Sequence, residues 1–90
     1  MKDPRPRVAV SGEFDIYNAP RLREALDALA GPAILDLTAV AYLDSSALHE
    51  LVVFHKRVGG RSKLVVRSRQ IARVLEIASF DQLFDIEVVG

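Results

Sequence analysis

Near the middle of the chain an acid and two hydroxyls stand side by side, Asp44-Ser45-Ser46, with His49 just beyond them. The spacing Leu48, Leu51, Val52, His55, Val58 predicts a helix from about Ser46 to Val58, so the polar trio falls where that helix begins. Ser and Asp at a helix start accept hydrogen bonds from unpaired backbone N–H groups, and the same end favours negative charge. A hydroxyl placed there has three chemistries open to it: helix cap, phosphate acceptor or nucleophile.

A nucleophilic serine needs a histidine within reach, an oriented acid and small residues around a tight turn. His49 follows Ser45 by one helical turn and could share its face. However, Leu43-Asp44-Ser45-Ser46-Ala47 lacks the small flanks, and a chain this short leaves little room for a substrate cavity. Metal binding is no better served. His49 and His55 fall on different helix faces, no acidic cluster repeats at ligand spacing, and there is no cysteine. Gly59-Gly60 follows a helix instead of opening one, which excludes a phosphate loop. A receiver domain would want adjacent acids after its first strand, and Phe14 separates Glu13 from Asp15. The residues therefore favour no hydrolase, metal site, phosphate loop or receiver domain. Cap and phosphate acceptor stay open for Ser45; a phosphate there would add close to two negative charges beside Asp44.

Composition sets the frame for that reading. The chain has 90 residues, half of them apolar, with formal charges that balance to zero, which fits one small domain and argues against a polyanionic partner. Arg57, Arg61, Lys63, Arg67, Arg69 and Arg73 form a mild basic cluster. Without Trp and with few aromatics, it reads as a solvated rim instead of a nucleic-acid groove. Absence of cysteine suits a reducing cytoplasm, and no apolar run reaches membrane-spanning length or follows the N-terminus as a signal peptide would.

The elements that must position the trio alternate in type. Residues 1–6 are charged and Pro-rich and read as an N-terminal arm, with one domain over residues 7–90. Arg7 to Ser11 is a strand ended by Gly12, and Glu13 to Tyr17 a connection. A helix follows, with Asn18 as its cap, Pro20 in its first turn and Leu22, Ala25, Leu26 and Leu29 as its apolar stripe. Ala33 to Leu37 is the second strand, on which Asp36 needs a partner or a place at the sheet end. After Gly59-Gly60 come a strand at Lys63–Arg67 and a helix capped by Ser68 with the stripe Ile71, Val74, Leu75, Ala78. Phe80, Leu83 and Phe84 pack around a turn, and Asp85 to Val89 closes the chain as a strand. Such alternation implies an α/β domain with right-handed crossovers and a mostly parallel sheet. The loops at Asp15 and at Asp44-Ser45 both leave strand carboxyl ends, where sites in such sheets gather.

Gly12-Glu13-Phe14-Asp15, Ile34-Leu35-Asp36-Leu37, Leu43-Asp44-Ser45-Ser46-Ala47-Leu48 and Gly59-Gly60 before a strand together resemble the STAS domain, nearest to free-standing bacterial anti-sigma factor antagonists. The resemblance runs from about Val8 to Val89. It implies a STAS-like fold in βαβαβαβ order and a cytoplasmic protein that binds a serine-kinase anti-sigma factor, so releasing a sigma factor. The kinase, carrying ATP and magnesium, would phosphorylate Ser45, and a phosphatase would reverse this; the antagonist, as their substrate, would be no enzyme and would need no cofactor. Asp15, Asp44, Ser45, Ser46 and Ala47 would form the partner-binding surface. Ala47 stands where the family commonly has glycine, and its methyl would either tighten the approach of a kinase or suit a different partner. The family also usually begins with one more strand, which residues 1–6 are too short and Pro-rich to form; a sheet edge left open in this way would take a partner strand or a second copy. The alternative is a non-phosphorylated STAS adaptor, such as a subunit beside a lipid-transport ATPase or a stressosome-type scaffold.

Overall fold

The computed structural model describes residues 3–90, so Met1 and Lys2 of the expected N-terminal arm lie outside the described residues. Strand and helix alternate as the hydrophobic spacing requires: β1 (Arg7–Phe14), α1 (Ala19–Asp27), β2 (Ile34–Leu43), α2 (Ser45–Val58), β3 (Lys63–Val66), α3 (Arg69–Ile77), a 3-10 turn at Phe80–Gln82, and β4 (Asp85–Val88). The four strands form one parallel sheet in the order β1-β2-β3-β4. Each strand therefore pairs with the next in sequence, and right-handed crossovers then place successive helices on the same face.

The packing bears this out. Leu22 and Leu26 from α1, Leu51 and Phe54 from α2, and Ile71 and Leu75 from α3 join Leu35, Leu37, Leu64 and Val66 of the strands in a single apolar cluster. The opposite sheet face carries no helix and is laced with charge. Arg7 meets Asp36 at 2.9 Å and Lys63 meets Glu87 at 3.4 Å. This answers the question that Asp36 raised. Its Oδ1 accepts from the Thr38 hydroxyl at 2.7 Å and the Thr38 backbone N–H at 3.0 Å. Those bonds, with Arg7 behind them, hold its carboxyl below the usual aspartate range.

Both strands that lead to the site are longer than the sequence suggested. β1 runs on through Glu13 and Phe14, and β2 runs six residues past Leu37 to Leu43. The register slips twice: Ala9 and Ser11 face Asp36 and Ala39, and Gly12 and Glu13 face Val40 and Tyr42. Each slip inserts one extra residue in β2, a β-bulge that bends the strand. Gly12, at φ 103°, sits at the second bulge, where a side chain would be strained.

Two further features seat α2. Gly59 closes it at φ 67°, and Gly60 follows at φ 64°, where a Cβ would come within 2.7 Å of the Pro32 ring, so a glycine is required there twice over. Arg57 donates to the α1-end carbonyls of Leu26 and Leu29, both at 2.7 Å. Arg61 similarly donates to the carbonyls of Asp81, Gln82 and Phe84 and to the Asp85 carboxylate. The expected solvated rim is thus divided. Arg57 and Arg61 clasp loose carbonyls, Lys63 is paired on the sheet face, and Arg67, Arg69 and Arg73 make no ion pair among the described residues. Residues 3–6 have no regular structure, but Arg5 donates to the Arg61 carbonyl at 3.0 Å and Ile34 N–H to the Pro6 carbonyl at 2.8 Å.

Candidate functional site: an exposed serine at the start of α2

Pairing brings the two expected loops together. Phe14 faces Leu43 in the sheet, and the Asp44 N–H donates to the Phe14 carbonyl at 3.1 Å. Asp15 and Asp44 are thereby fixed as neighbours at the carboxyl end of the sheet, each one residue past its strand.

Each acid then organises its own turn. Asp15 Oδ1 accepts from the backbone N–H groups of Tyr17 and Asn18, both at 3.0 Å, folding the chain into α1. Asn18 occupies the position before α1 but makes no side-chain cap, so Asp15 performs the task expected of Asn18. Asp44 is the N-cap of α2: its Oδ1 accepts from Ser46 N–H at 2.9 Å and from Ala47 N–H at 3.3 Å.

That arrangement corrects the capping alternative for the serines. Ser45 and Ser46 are the first two residues of α2, and no side-chain cap comes from either; the carboxylate before them has already taken the N–H groups. Ser45 is exposed and Ser46 half-buried. The Ser45 hydroxyl has no hydrogen-bond partner among the described residues. It is presented to solvent at the positive end of a 14-residue helix.

Ala47 needs a correction of a different kind. Its side chain is 0% exposed and belongs to the core, packed among the residues that hold α2 against the sheet. A methyl group so placed cannot meet a kinase, because helical periodicity turns position 47 inward while it turns Ser45 outward. His49 is exposed in the same groove as Ser45, whereas His55 lies edge-on to Phe84 at 5.6 Å, on the far side of the site.

Two residues at the site escaped the sequence reading, Arg23 and Glu50. Glu50 is 7% exposed, and Arg23 on α1 grips its carboxylate with Nε and Nη2 at 3.0 to 3.3 Å. Glu50 favours the charged form of Arg23 and raises its pKa. The signal was present, since Glu50 falls on the inward stripe of Ala47, Leu51 and Phe54, where a carboxylate needs a partner.

Apolar side chains surround this end of the molecule. Ile16 and Tyr17 are 65% and 85% exposed beside Asp15. Tyr42 and Ile77 are 52% and 75% exposed, and with Val74 they line a groove between the end of β2 and α3. Val74 was expected inside, but Ala72 takes that place and Val74 faces outward. The groove at Tyr42, Val74 and Ile77 is an exposed apolar surface with polar neighbours, Gln70 and Arg73, of the kind on which a protein can dock. Among the described residues no group of three metal-ligating side chains occurs, and no helix is long and apolar enough to cross a membrane.

The fold is a parallel βα sheet that presents a serine at the start of its second helix, and residues 4–88 match the STAS domain; the chain belongs to that family. Among its relatives is the anti-sigma-B factor antagonist of Bacillus subtilis, 36% identical over 86 residues, covering 89% of this chain and 79% of that protein. The anti-sigma-B factor antagonist of Listeria monocytogenes is 35% identical over 89 residues, covering 91% and 78%. A STAS-domain containing protein of Pseudomonas aeruginosa is 32% identical over 85 residues, covering 88% and 84%. The crystal structure of an anti-sigma factor antagonist from Mycobacterium paratuberculosis superposes with a TM-score of 0.82 at 29% identity, covering 92% of this chain and 76% of that one.

Proposed function

We infer that this chain is an anti-sigma factor antagonist, which binds a serine-kinase anti-sigma factor and loses that partner when Ser45 is phosphorylated. The observation that carries the reading is the division of labour at the start of α2: Asp44 caps the helix, which leaves Ser45 exposed and its hydroxyl unengaged. Support also comes from relatives named as anti-sigma-B factor antagonists and from the apolar side chains around the serine.

Physical chemistry makes Ser45 a good switch. A phosphate brings close to two negative charges and lands at a helix N-terminus, which offsets part of that charge by about 0.3–1 kcal/mol. The domain itself is therefore little disturbed. A partner covering Ser45 meets a desolvated, mispaired charge that costs several kcal/mol, and about 1.4 kcal/mol is tenfold in affinity. Phosphorylation then weakens binding by orders of magnitude while the fold persists. Asp15 and Asp44 contribute as the acids bordering the serine, and the protein acts as a substrate of the kinase, with its ATP and magnesium, and of a phosphatase, without chemistry of its own.

The test is to mix the protein with a cognate anti-sigma factor kinase and ATP. Wild type gains one phosphate and Ser45→Ala gains none; equal phosphorylation of the two removes Ser45 from the account. Retention of the same partners by Ser45→Asp would favour a constitutive adaptor instead.

A further inference from the structure

Whatever charge arrives at Ser45 enters a groove of about 410 Å³ between the starts of α1 and α2. Ser45, Ser46 and His49 line it from α2, Ile16 from the preceding loop, and Arg23 and Glu50 bridge the two helices. Glu50 is the carboxylate in its lining, and Asp15 and Asp44 lie in the adjoining loops. Among the described residues Arg23 is the only arginine or lysine in its lining.

Arg23 is held for a task that Glu50 alone does not account for. Nε and Nη2 are aimed at the Glu50 carboxylate, yet the arginine side chain remains 57% exposed. Nη1, with its two N–H donors, has no hydrogen-bond partner among the described residues. A guanidinium fixed along one edge and open along the other is pre-organised for a second oxyanion, since its planar fork suits phosphate. Glu50, buried and one turn beyond Ser46, keeps that fork on the serine side of α1.

We propose that Arg23, oriented by Glu50, is the counter-charge that receives the phosphate of phosphorylated Ser45 within this groove. The inference rests on Ser45 being the phosphate acceptor. Arg23 is a positioning residue for the modified state: it ties the phosphate to α1, offsets the three nearby carboxylates, and fixes the direction in which the new charge faces a partner.

The experiment installs phosphoserine at position 45 of the full chain during translation and follows the phosphate by phosphorus NMR as pH is varied. An unperturbed phosphoserine titrates near about pH 6. A close guanidinium favours the dianion, so Arg23→Gln raises the midpoint by about one pH unit, a roughly tenfold gain in proton affinity. Arg23→Lys keeps the charge without the fork and falls between the two. Glu50 and His49 in the lining, with Asp15 and Asp44 in the adjoining loops, are the other titratable groups around the groove, and they are common to all three proteins. Coincident midpoints in wild type and Arg23→Gln overturn the proposal. Should Arg23→Gln fail to fold because Glu50 is left unpaired, coincident midpoints in wild type and Arg23→Lys overturn it. Because no kinase is involved, a wild-type protein that a kinase ignores would count against the antagonist reading and leave this titration standing.

Discussion

Replacing Asp44 by Ala removes the side chain that accepts from the Ser46 and Ala47 N–H groups at 2.9 and 3.3 Å. Loss of an N-cap of this kind typically costs ~1 kcal/mol, within a range of about 0.5–2. For a domain of this size each kcal/mol moves the midpoint of thermal unfolding by about 4–8 °C, so Asp44→Ala unfolds roughly that much earlier. Asp44→Asn keeps the accepting oxygen and stays close to wild type. Ser45→Ala is the decisive contrast. If the serine were a cap it would cost as much as Asp44→Ala, but an exposed first-turn hydroxyl without a partner should change stability by no more than about 0.5 kcal/mol. Thermal unfolding followed by circular dichroism measures all three. Equal destabilisation by Ser45→Ala and Asp44→Ala would refute the division of labour at this helix start.

Other consequences follow from side chains around the site. Ala47→Gly loses a buried methyl and some helix propensity, about 1–2 kcal/mol by chemical denaturation, without altering the surface that a partner meets. Arg57→Ala frees the carbonyls of Leu26 and Leu29 and lowers stability by about 1–2 kcal/mol, and Arg57→Lys, lacking the fork, recovers only part of it. Asp36, lowered from 3.8 by Thr38 and then Arg7, contributes stability that is complete above 3.8 and is lost as pH falls through its depressed folded value; Asp36→Asn flattens that acid limb in unfolding curves. A second copy pairing along β1, which forms one edge of the sheet, would show a dimer mass by light scattering at high protein concentration, and a monomer mass throughout excludes it.

The βα order was legible because α1, α2 and α3 each carry an apolar stripe and clear stop or cap residues. The length of β2 was hidden by its bulges. Its inward residues are Leu35, Leu37, Val40 and Leu43, spaced two, three and three apart, so alternation breaks at Leu37 although the strand continues. A bulge adds a residue without adding a signal that one sequence can display. The position of Ser45 at a helix start was legible from the onset of the apolar spacing. Which residue caps that helix was not, because Asp44, Ser45 and Ser46 can all accept the same N–H groups and only the backbone geometry chooses among them. Arg23 and Glu50 meet across two helices, a contact that depends on how α1 and α2 pack.

Phosphopeptide mapping of the wild-type protein and Ser45→Ala after incubation with a cognate anti-sigma factor kinase and ATP addresses the central claim most directly. A single phosphate on Ser45, absent from the Ala variant and accompanied by loss of kinase binding, is the predicted result. Phosphate on another residue, or kinase binding that is unaffected when Ser45 is phosphorylated, would contradict it.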